Sequence, residues 1–287
     1  MQSRLFINLF LFIVVIGLAL FLFNTEKSEE TTTDVLLTDI DPTSVNTIQI
    51  SRKQTGNIIF KKENDKWLMQ SPYQLSANPV RINTMLGLLR AHSYTRFNKE
   101  EVELDRFMLD APEVSIQFND LKIDFGDTSP LGKQRYVLVN DTVHLINDSL
   151  YQQLQTPATF FLKGRLLESG SEITAITFPD YSLKKQEGIW KLEPYTGISG
   201  DDIVSLINAW QQLEAISIQE YENGESSGVI KIELDNHAAI EFVIVSQPPQ
   251  LVLARPELGI QYHISGYDAD KLFLSFEQND ETTENTK

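Results

Sequence analysis

An apolar run near the start of the chain, residues 5–23, most constrains what this sequence can fold into. It contains one polar side chain, Asn8, and no charge. Its nineteen residues would span about 28 Å as an α-helix, close to the ~30 Å hydrocarbon core of a bilayer. A segment inside that core must satisfy its own backbone hydrogen bonds, as a helix does. We therefore expect residues 1–23 to form a transmembrane anchor, with Leu5–Phe23 in the membrane.

The charges flanking this run predict its direction. Arg4 precedes the run, whereas residues 24–30 after it hold three glutamates and one lysine. Positive charge stays on the cytoplasmic side of a membrane. The N-terminus should therefore be cytoplasmic, and the rest of the chain should be exported.

Two alternatives to an uncleaved anchor remain open. A cleaved signal peptide has an apolar region of about 7–15 residues and a small-x-small cleavage site. Here the run is longer and ends Phe21-Leu22-Phe23-Asn24, which does not resemble such a site. A buried core helix is the third interpretation. The length and the flanking charges favour the anchor.

Composition excludes several classes of function. The chain has 287 residues, 24 basic and 40 acidic, and its formal net charge is −16. A surface this acidic repels nucleic acid and anionic lipid headgroups, so we expect no nucleic-acid partner. The sequence has no cysteine, which excludes thiol catalysis, zinc–thiolate sites, disulfides and a lipid-modified cysteine.

The rest of the chain divides into five predicted parts, beginning with the anchor. Residues 24–40 are mostly polar and rich in threonine, which predicts a flexible tether. Residues 276–287 predict a disordered acidic tail. Between them, residues 41–163 and 171–275 predict two similar α+β repeats, each an antiparallel sheet with helices. The fold class is therefore α+β, an N-terminal transmembrane helix followed by two antiparallel-sheet-plus-helix repeats.

The internal duplication rests on the order of the predicted elements and on three sequence correspondences. Trp67 corresponds to Trp190, each on a third strand before a helix, and His144 corresponds to His263, each before the last helix. Four apolar positions of the first helix face have counterparts in the second at one offset. They are Ile82 with Ile203, Met85 with Leu206, Leu86 with Ile207, and Leu89 with Trp210.

Each repeat predicts three strands, a helix, four strands and a final helix. In the first repeat we expect strands at 45–51, 57–61, 66–70, 114–118, 121–125, 134–139 and 142–146, and helices after Pro79, at 98–107 and at 148–154. In the second we expect strands at 173–178, 181–185, 189–193, 229–234, 239–245, 251–254 and 261–265, and helices after Ser199 and at 268–273.

No catalytic or metal motif stands out, so we expect no enzyme activity and no cofactor. The four histidines, His92, His144, His237 and His263, lack metal-ligand spacing. His144 and His263 could face a shared cleft between the repeats, with Arg135 nearby to meet an acidic group. Packing histidines and a charged strand end are the alternative.

The remaining candidates have structural explanations too. Asp120, Asp124 and Asp127 lack the spacing of an EF-hand calcium loop. Residues 126–132, GDTSPLG, lack the order of a phosphate-binding loop, because Gln134 follows Lys133 where serine or threonine is required. A solvent-facing strand and a tight turn are the simpler interpretations.

Several features together resemble the bacterial family called domain of unknown function 4340. They are the Asp41-Pro42 entry, the strand containing Trp67, the Phe125-Gly126 turn and the Arg135-Tyr136-Val137 strand. The resemblance covers residues 38–154 well and the second half loosely. It implies a membrane-tethered extracytoplasmic protein, and some members resemble companions of ABC-type transport or gliding-motility systems. It implies no activity, and the family often has an aromatic residue where His144 stands.

These observations predict an interaction or scaffold protein of the cell envelope. It would sit in the bacterial inner (plasma) membrane through Leu5–Phe23, with its globular part in the periplasm and a protein partner in the envelope. A module that binds a ligand in the cleft between the repeats is one alternative. A hydrolase with an unrecognised site is another.

Overall fold

A computed structural model describes residues 35–130, 132–194, 197–235 and 238–276. The predicted anchor, most of the predicted tether, His237 and the predicted tail from Glu277 onward lie outside these residues. Among the residues described, no helix has the length and apolarity needed to cross a membrane.

The first repeat is built on a nine-stranded antiparallel sheet with the order β4-β3-β2-β1-β6-β7-β8-β9-β5. Its strands are β1 (Thr47–Arg52), β2 (Ile58–Glu63), β3 (Lys66–Ser71), β4 (Leu75–Ser76), β5 (Thr95–Asn98), β6 (Val114–Phe118), β7 (Leu121–Thr128), β8 (Gln134–Val139) and β9 (Thr142–Asn147). Its α-helices are α1 (Pro79–Gly87) and α2 (Tyr151–Leu154), with 3-10 turns at Pro42–Ser44, Leu88–Arg90, Lys99–Glu101, Leu104–Phe107 and Ala158–Phe161.

The second repeat is built on an eight-stranded antiparallel sheet with the order β12-β11-β10-β14-β15-β16-β17-β13. Its strands are β10 (Ile173–Thr177), β11 (Ser182–Gln186), β12 (Ile189–Glu193), β13 (Ser217–Glu220), β14 (Val229–Leu234), β15 (Ala239–Ser246), β16 (Val252–Arg255) and β17 (Ile260–His263). Its α-helices are α3 (Gly200–Gln212) and α4 (Gly266–Ala269), with 3-10 turns at Pro256–Leu258 and Asp270–Leu272.

The two sheets have the same topology, strand for strand, and the first has one strand more. The strand order from β3 to β5 in the first sheet matches the strand order from β12 to β13 in the second. Among the described residues, β4 has no counterpart. The prediction of two similar antiparallel-sheet units is therefore confirmed. The third-strand tryptophans also correspond in space, because Trp67 lies opposite Lys62 and Trp190 lies opposite Lys185.

The main helices begin at equivalent, side-chain-capped positions. Asn78 accepts hydrogen bonds from the backbone N–H groups of Val80 and Arg81, and Pro79 occupies the first helical position. Ser199 caps α3 by accepting from the backbone N–H of Asp202. Such caps satisfy donors that the first helical turn leaves free. The helix starts were correctly predicted from these residues.

Apolar side chains from both repeats form one continuous core. Strand alternation directs Ile48 and Ile50 of β1 into it, and the helix face contributes Ile82, Met85 and Leu89, all fully buried. In the second repeat the predicted face of α3 is buried through Ile203, Leu206, Ile207 and Trp210, and Leu213 just after the helix is buried as well. The core thus fixes the position of each sheet relative to its helix.

Both repeats begin earlier than the sequence indicates. Leu37 is buried, the N–H of Ser93 donates to the carbonyl oxygen of Val35 at 2.8 Å, and Leu36 bridges to His92. Residues 35–40, predicted as the end of the tether, therefore belong to the folded unit.

The second repeat begins in the same way. The N–H of Ala215 donates to the carbonyl oxygen of Gly164 at 2.7 Å, and Arg165 bridges to Glu214. The second folded unit therefore starts before residue 171, the predicted beginning of the second repeat. At the other end, Phe276 packs on the ring of Tyr181 with centroids 5.2 Å apart, so it belongs to the folded part and not to the tail.

Several predictions of secondary structure were wrong, and the two-residue strand β4 (Leu75–Ser76) was missed. The segment 98–107 is not one helix but two 3-10 turns, Lys99–Glu101 and Leu104–Phe107. The strands β5 and β13 were missed, and they occupy equivalent edges of the two sheets. Both are four residues long and lack alternating apolar residues, so only their pairing partners define them.

Candidate functional site

His144 lies on β9 and is almost fully buried, with 6% of its surface exposed. Its Nδ1 is 2.9 Å from the hydroxyl oxygen of Ser93, within hydrogen-bond distance. It borders a cavity of about 660 Å³ that residues 35–40 and Arg96 also line. Burial, with a smaller contribution from Arg96, lowers the pKa of His144 to about 4. The imidazole is therefore neutral at pH 7.

His263 does not correspond to His144, so that prediction was wrong. Thr95 begins β5 opposite Leu145, and Ser217 begins β13 opposite His263, which makes His263 the counterpart of Leu145. The counterpart of His144 is Tyr262, which is also buried. A register difference of one residue moves a side chain to the other face of a sheet. His144 and His263 therefore lie on non-equivalent faces of their two sheets.

His263 is half-buried, and the side-chain amide of Gln261 lies 3.1 Å from its Nε2. Burial lowers its pKa. In the described part of the chain, the cavity that His144 lines is not lined by His263 or Arg135. The structure therefore does not bring the three predicted cleft residues together.

Arg135 is a buried structural cation. Its guanidinium donates to the carbonyl oxygen of Gly126, pairs with the Asp148 carboxylate at 2.9 Å and lies 3.6 Å from the ring centre of Tyr151. These contacts join β8 to the β7 backbone and to α2. The side chain is already engaged inside the fold and does not face an outside partner.

The acidic residues of β7 are likewise held by neighbours. Asp124 accepts a hydrogen bond from the hydroxyl of Ser115 and pairs with Lys122 at 2.8 Å. Among the residues that the structure describes, no three His, Asp or Glu side chains lie close enough together to hold a metal ion.

Among the described residues, the outer edge of β12 has no paired strand. In the first repeat β4 covers the equivalent edge of β3, pairing Ser76 with Leu68 and Leu75 with Met69. Within the described ranges, no strand pairs with the outer side of β12. Ile189 at its start is 68% exposed, so this end of the edge presents apolar surface.

Three lysines surround this open edge without an acidic partner. Lys184 and Lys191 lie directly opposite each other on β11 and β12, and Lys185 lies opposite Trp190. None of the three forms an ion pair among the described residues. By contrast, other strand lysines pair with nearby carboxylates; they are Lys61, Lys62, Lys122 and Lys231.

A separate groove of about 680 Å³ lies between the repeats. Residues 156–164 form its floor, the beginning of α1 one wall, and residues 214–220, including β13, the other. The guanidinium of Arg81 lies 3.9 Å from the ring centre of Phe160. Ile216 on the rim is 73% exposed.

Sequence reasoning missed the β12 edge, although a signal was present. The hairpin segment 182–193 holds three lysines in a chain of net charge −16. That no described strand pairs with this edge, as β4 pairs with β3, follows only from the sheet order.

Comparisons with known proteins give one match. No curated protein and no solved structure matches the chain. A family model described as "Domain of unknown function (DUF4340)" matches residues 67–223, more than half of the chain. The match runs from the third strand of the first repeat to just beyond β13 of the second, further into the second half than the sequence resemblance indicated. The chain therefore belongs to the DUF4340 family.

Proposed function

We propose that this chain is a single-pass membrane protein whose folded part binds a protein partner outside the cytoplasm. Leu5–Phe23 anchors it in the bacterial inner membrane, and the N-terminus is cytoplasmic. The partner belongs to the cell envelope, with an ABC-type transport complex as one class. The observation that carries the proposal is the open edge of β12.

An open edge strand supports this proposal because its backbone is free to pair. Alternate residues of an edge strand direct N–H and C=O groups away from the sheet, and an extended segment of another protein can add there as a further strand. Proteins commonly cover such edges with charged residues, short strands or other elements. The first repeat has β4 at this place, and no described strand of the second repeat occupies it.

The distance from the membrane is compatible with such binding. Residues 24–34 separate the proposed anchor from the first described residue, Val35. Fully extended, these eleven residues would reach at most about 40 Å. The folded part would thus remain near the membrane, within reach of membrane-bound partners.

Crosslinking of the full-length chain in its membrane, followed by mass spectrometry, tests this proposal. Two variants, Lys191→Pro and Leu192→Pro, are compared with the unchanged chain. Because N–H direction alternates along a strand, one of the two prolines removes an outward N–H and leaves the ladder to β11 intact. That variant, identified as the one with the smaller loss of Tm, should lose the captured partner.

Replacing Leu5–Phe23 by an unrelated transmembrane helix is the matched control, because it should keep the partner. Capture that survives the tolerated proline would show that β12 is not the binding edge. Capture lost only on replacing the anchor would place the contact in the membrane.

A second candidate is ligand binding in the groove between the repeats. Arg81 favours it, because its guanidinium faces this groove without an ion pair among the described residues. Thermal shift with small carboxylates tests the idea: a bound ligand raises Tm, and Arg81→Gln should abolish the rise. No observation favours a hydrolase.

A further inference from the structure

We propose that the strand added to β12 runs antiparallel to it and alternates acidic with apolar side chains. An acidic side chain lies beside Lys191, whose other neighbour on that face is Lys184 of β11, and the apolar side chains lie beside Leu192 and Trp190. This inference rests on the function proposed above and specifies the chemistry of the partner.

The first repeat contains a template for this pairing. Because Trp67 and Trp190 are equivalent, Leu68 corresponds to Lys191 and Met69 to Leu192. The β4 residue beside Met69 is Leu75, which packs against the core. A strand placed on β12 in the same register would therefore set an apolar side chain beside Leu192, on the core face of the sheet.

On the other face of the sheet, the added strand would lie beside Lys191. In the template, Ser76 lies beside Leu68, but the equivalent position on β12 is Lys191. Lys191 lies opposite Lys184 on the same face, and like charges directly opposite each other destabilise a sheet. A carboxylate beside Lys191 would offset that repulsion.

The lysines on β11 have equivalents in the first repeat that form ion pairs with acidic residues of their own hairpin. Lys61 and Lys62 of the first repeat pair with Glu63 at 3.3 Å and Asp65 at 3.2 Å. Their equivalents in the second repeat, Lys184 and Lys185, follow the same strand register. The positions of the two acids, however, are taken by Gln186 and Gly188.

Nearby acidic groups do not replace them. Glu193 lies two residues beyond Lys191, the spacing at which Glu63 pairs with Lys61 and Glu233 with Lys231. Yet Glu193 forms no ion pair with Lys191 among the described residues. Within the part of the chain that the structure describes, these lysines therefore carry positive charge that no carboxylate neutralises in an ion pair.

The test uses a synthetic peptide of alternating valine and glutamate and the full-length chain in a neutral detergent. A peptide with lysine in place of glutamate reverses the charge. Two further versions carry N-methyl groups on one or the other set of alternate residues, which blocks strand pairing. Binding is followed by hydrogen exchange of residues 189–193 and by the change in tryptophan emission in a Trp67→Phe background, in which Trp190 lies at the edge and Trp210 is fully buried.

The glutamate peptide should bind and protect the β12 amides, whereas the lysine peptide should not. One N-methylated version should fail to bind, and the other should bind. Equal binding of both charge types, no binding of either, or equal binding of both N-methylated versions would overturn the proposal.

Charge reversal on the protein provides the matched comparison. Lys184→Glu with Lys191→Glu should weaken the glutamate peptide about tenfold or more and create affinity for the lysine peptide. The control pair, Lys66→Glu with Lys133→Glu, makes the same change of net charge at exposed positions elsewhere and should leave binding unchanged.

The two proposals fail in distinguishable ways. If the envelope partner is captured at β12 but the Lys184/Lys191 reversal does not weaken it, the proposed function stands and the acidic chemistry is wrong. Binding to anionic lipid vesicles that the same reversal abolishes, with no binding of the peptide, would instead assign the lysines to a membrane surface and overturn the inference.

Discussion

His144 and Tyr262 occupy the same position in the two repeats. His144 lies opposite Arg96 of β5, and Tyr262 lies opposite Ile218 of β13. Both side chains are buried. At this position the first repeat has a titratable imidazole, and the second has the phenol of Tyr262, whose pKa is raised by burial. His144 is therefore a pH-sensitive position of the first repeat.

The free energy of unfolding should fall in mild acid because of His144. A histidine in an unfolded chain has a pKa near 6.5, and the buried His144 has a pKa of about 4. Between these values the unfolded chain binds more protons. The contribution is therefore complete above pH 6.5, is lost as the pH falls toward 4, and is on the order of 3 kcal/mol.

His144→Phe isolates this contribution, since phenylalanine fills the site without titrating. Denaturant unfolding at several pH values between 4 and 7 should show a steeper loss for the unchanged chain than for the variant. Parallel pH profiles for the two proteins would mean that the protonated imidazole is accommodated in the fold.

The equivalent helix caps should contribute equally. Asn78→Ala and Ser199→Ala each remove a side-chain acceptor from the first turn, and each should lower the free energy of unfolding by about 1 kcal/mol. Asn83→Ala and Ser205→Ala change the same residue types at exposed positions within the helices. Those controls should be neutral, because alanine favours the helix. A cap variant no less stable than its control would contradict the assignment.

Arg135 should prove to be a structural residue. Arg135→Met leaves the carboxylate of Asp148 without its cation, which should cost about 3–5 kcal/mol. The double variant, Arg135→Met with Asp148→Asn, should lose less stability than the sum of the two single variants, because the two side chains interact. Chemical denaturation of the three variants measures this. Additive losses would show that the two side chains act independently.

Trp210 should be the most sensitive of the three tryptophans. It is fully buried, and its indole N–H donates to the carbonyl oxygen of Leu272 at 3.1 Å. Trp210→Ala should destabilise the protein by about 3–5 kcal/mol. The half-buried Trp190 on the open edge is the control, and Trp190→Ala should cost less than about 1.5 kcal/mol. Similar losses of Tm for both would contradict an open β12 edge.

The sequence predicted regular elements well where the signal is local. Strands 114–118, 134–139, 189–193 and 229–234 have the bounds that their apolar pattern indicates, and the helix caps follow from single residues such as Asn78. These features depend on side chains that are adjacent along the chain or on one turn of helix.

Features that depend on pairing between distant segments could not be predicted. The edge strands β5 and β13 carry no apolar pattern of their own. The match of His144 to His263 was wrong by one residue because strand register is set by the partner strand. The unpaired edge of β12 follows from the sheet order of the described residues, in which β4 has no counterpart in the second repeat.

Photocrosslinking from position 189 in intact cells tests the central claim most directly. A photoreactive amino acid replaces Ile189 on the β12 edge or, as a control, the similarly exposed Val80 on α1. We expect one discrete membrane-associated product from position 189 and none from position 80. No product from position 189, or the same product from both positions, would contradict the claim that β12 is the partner-binding edge.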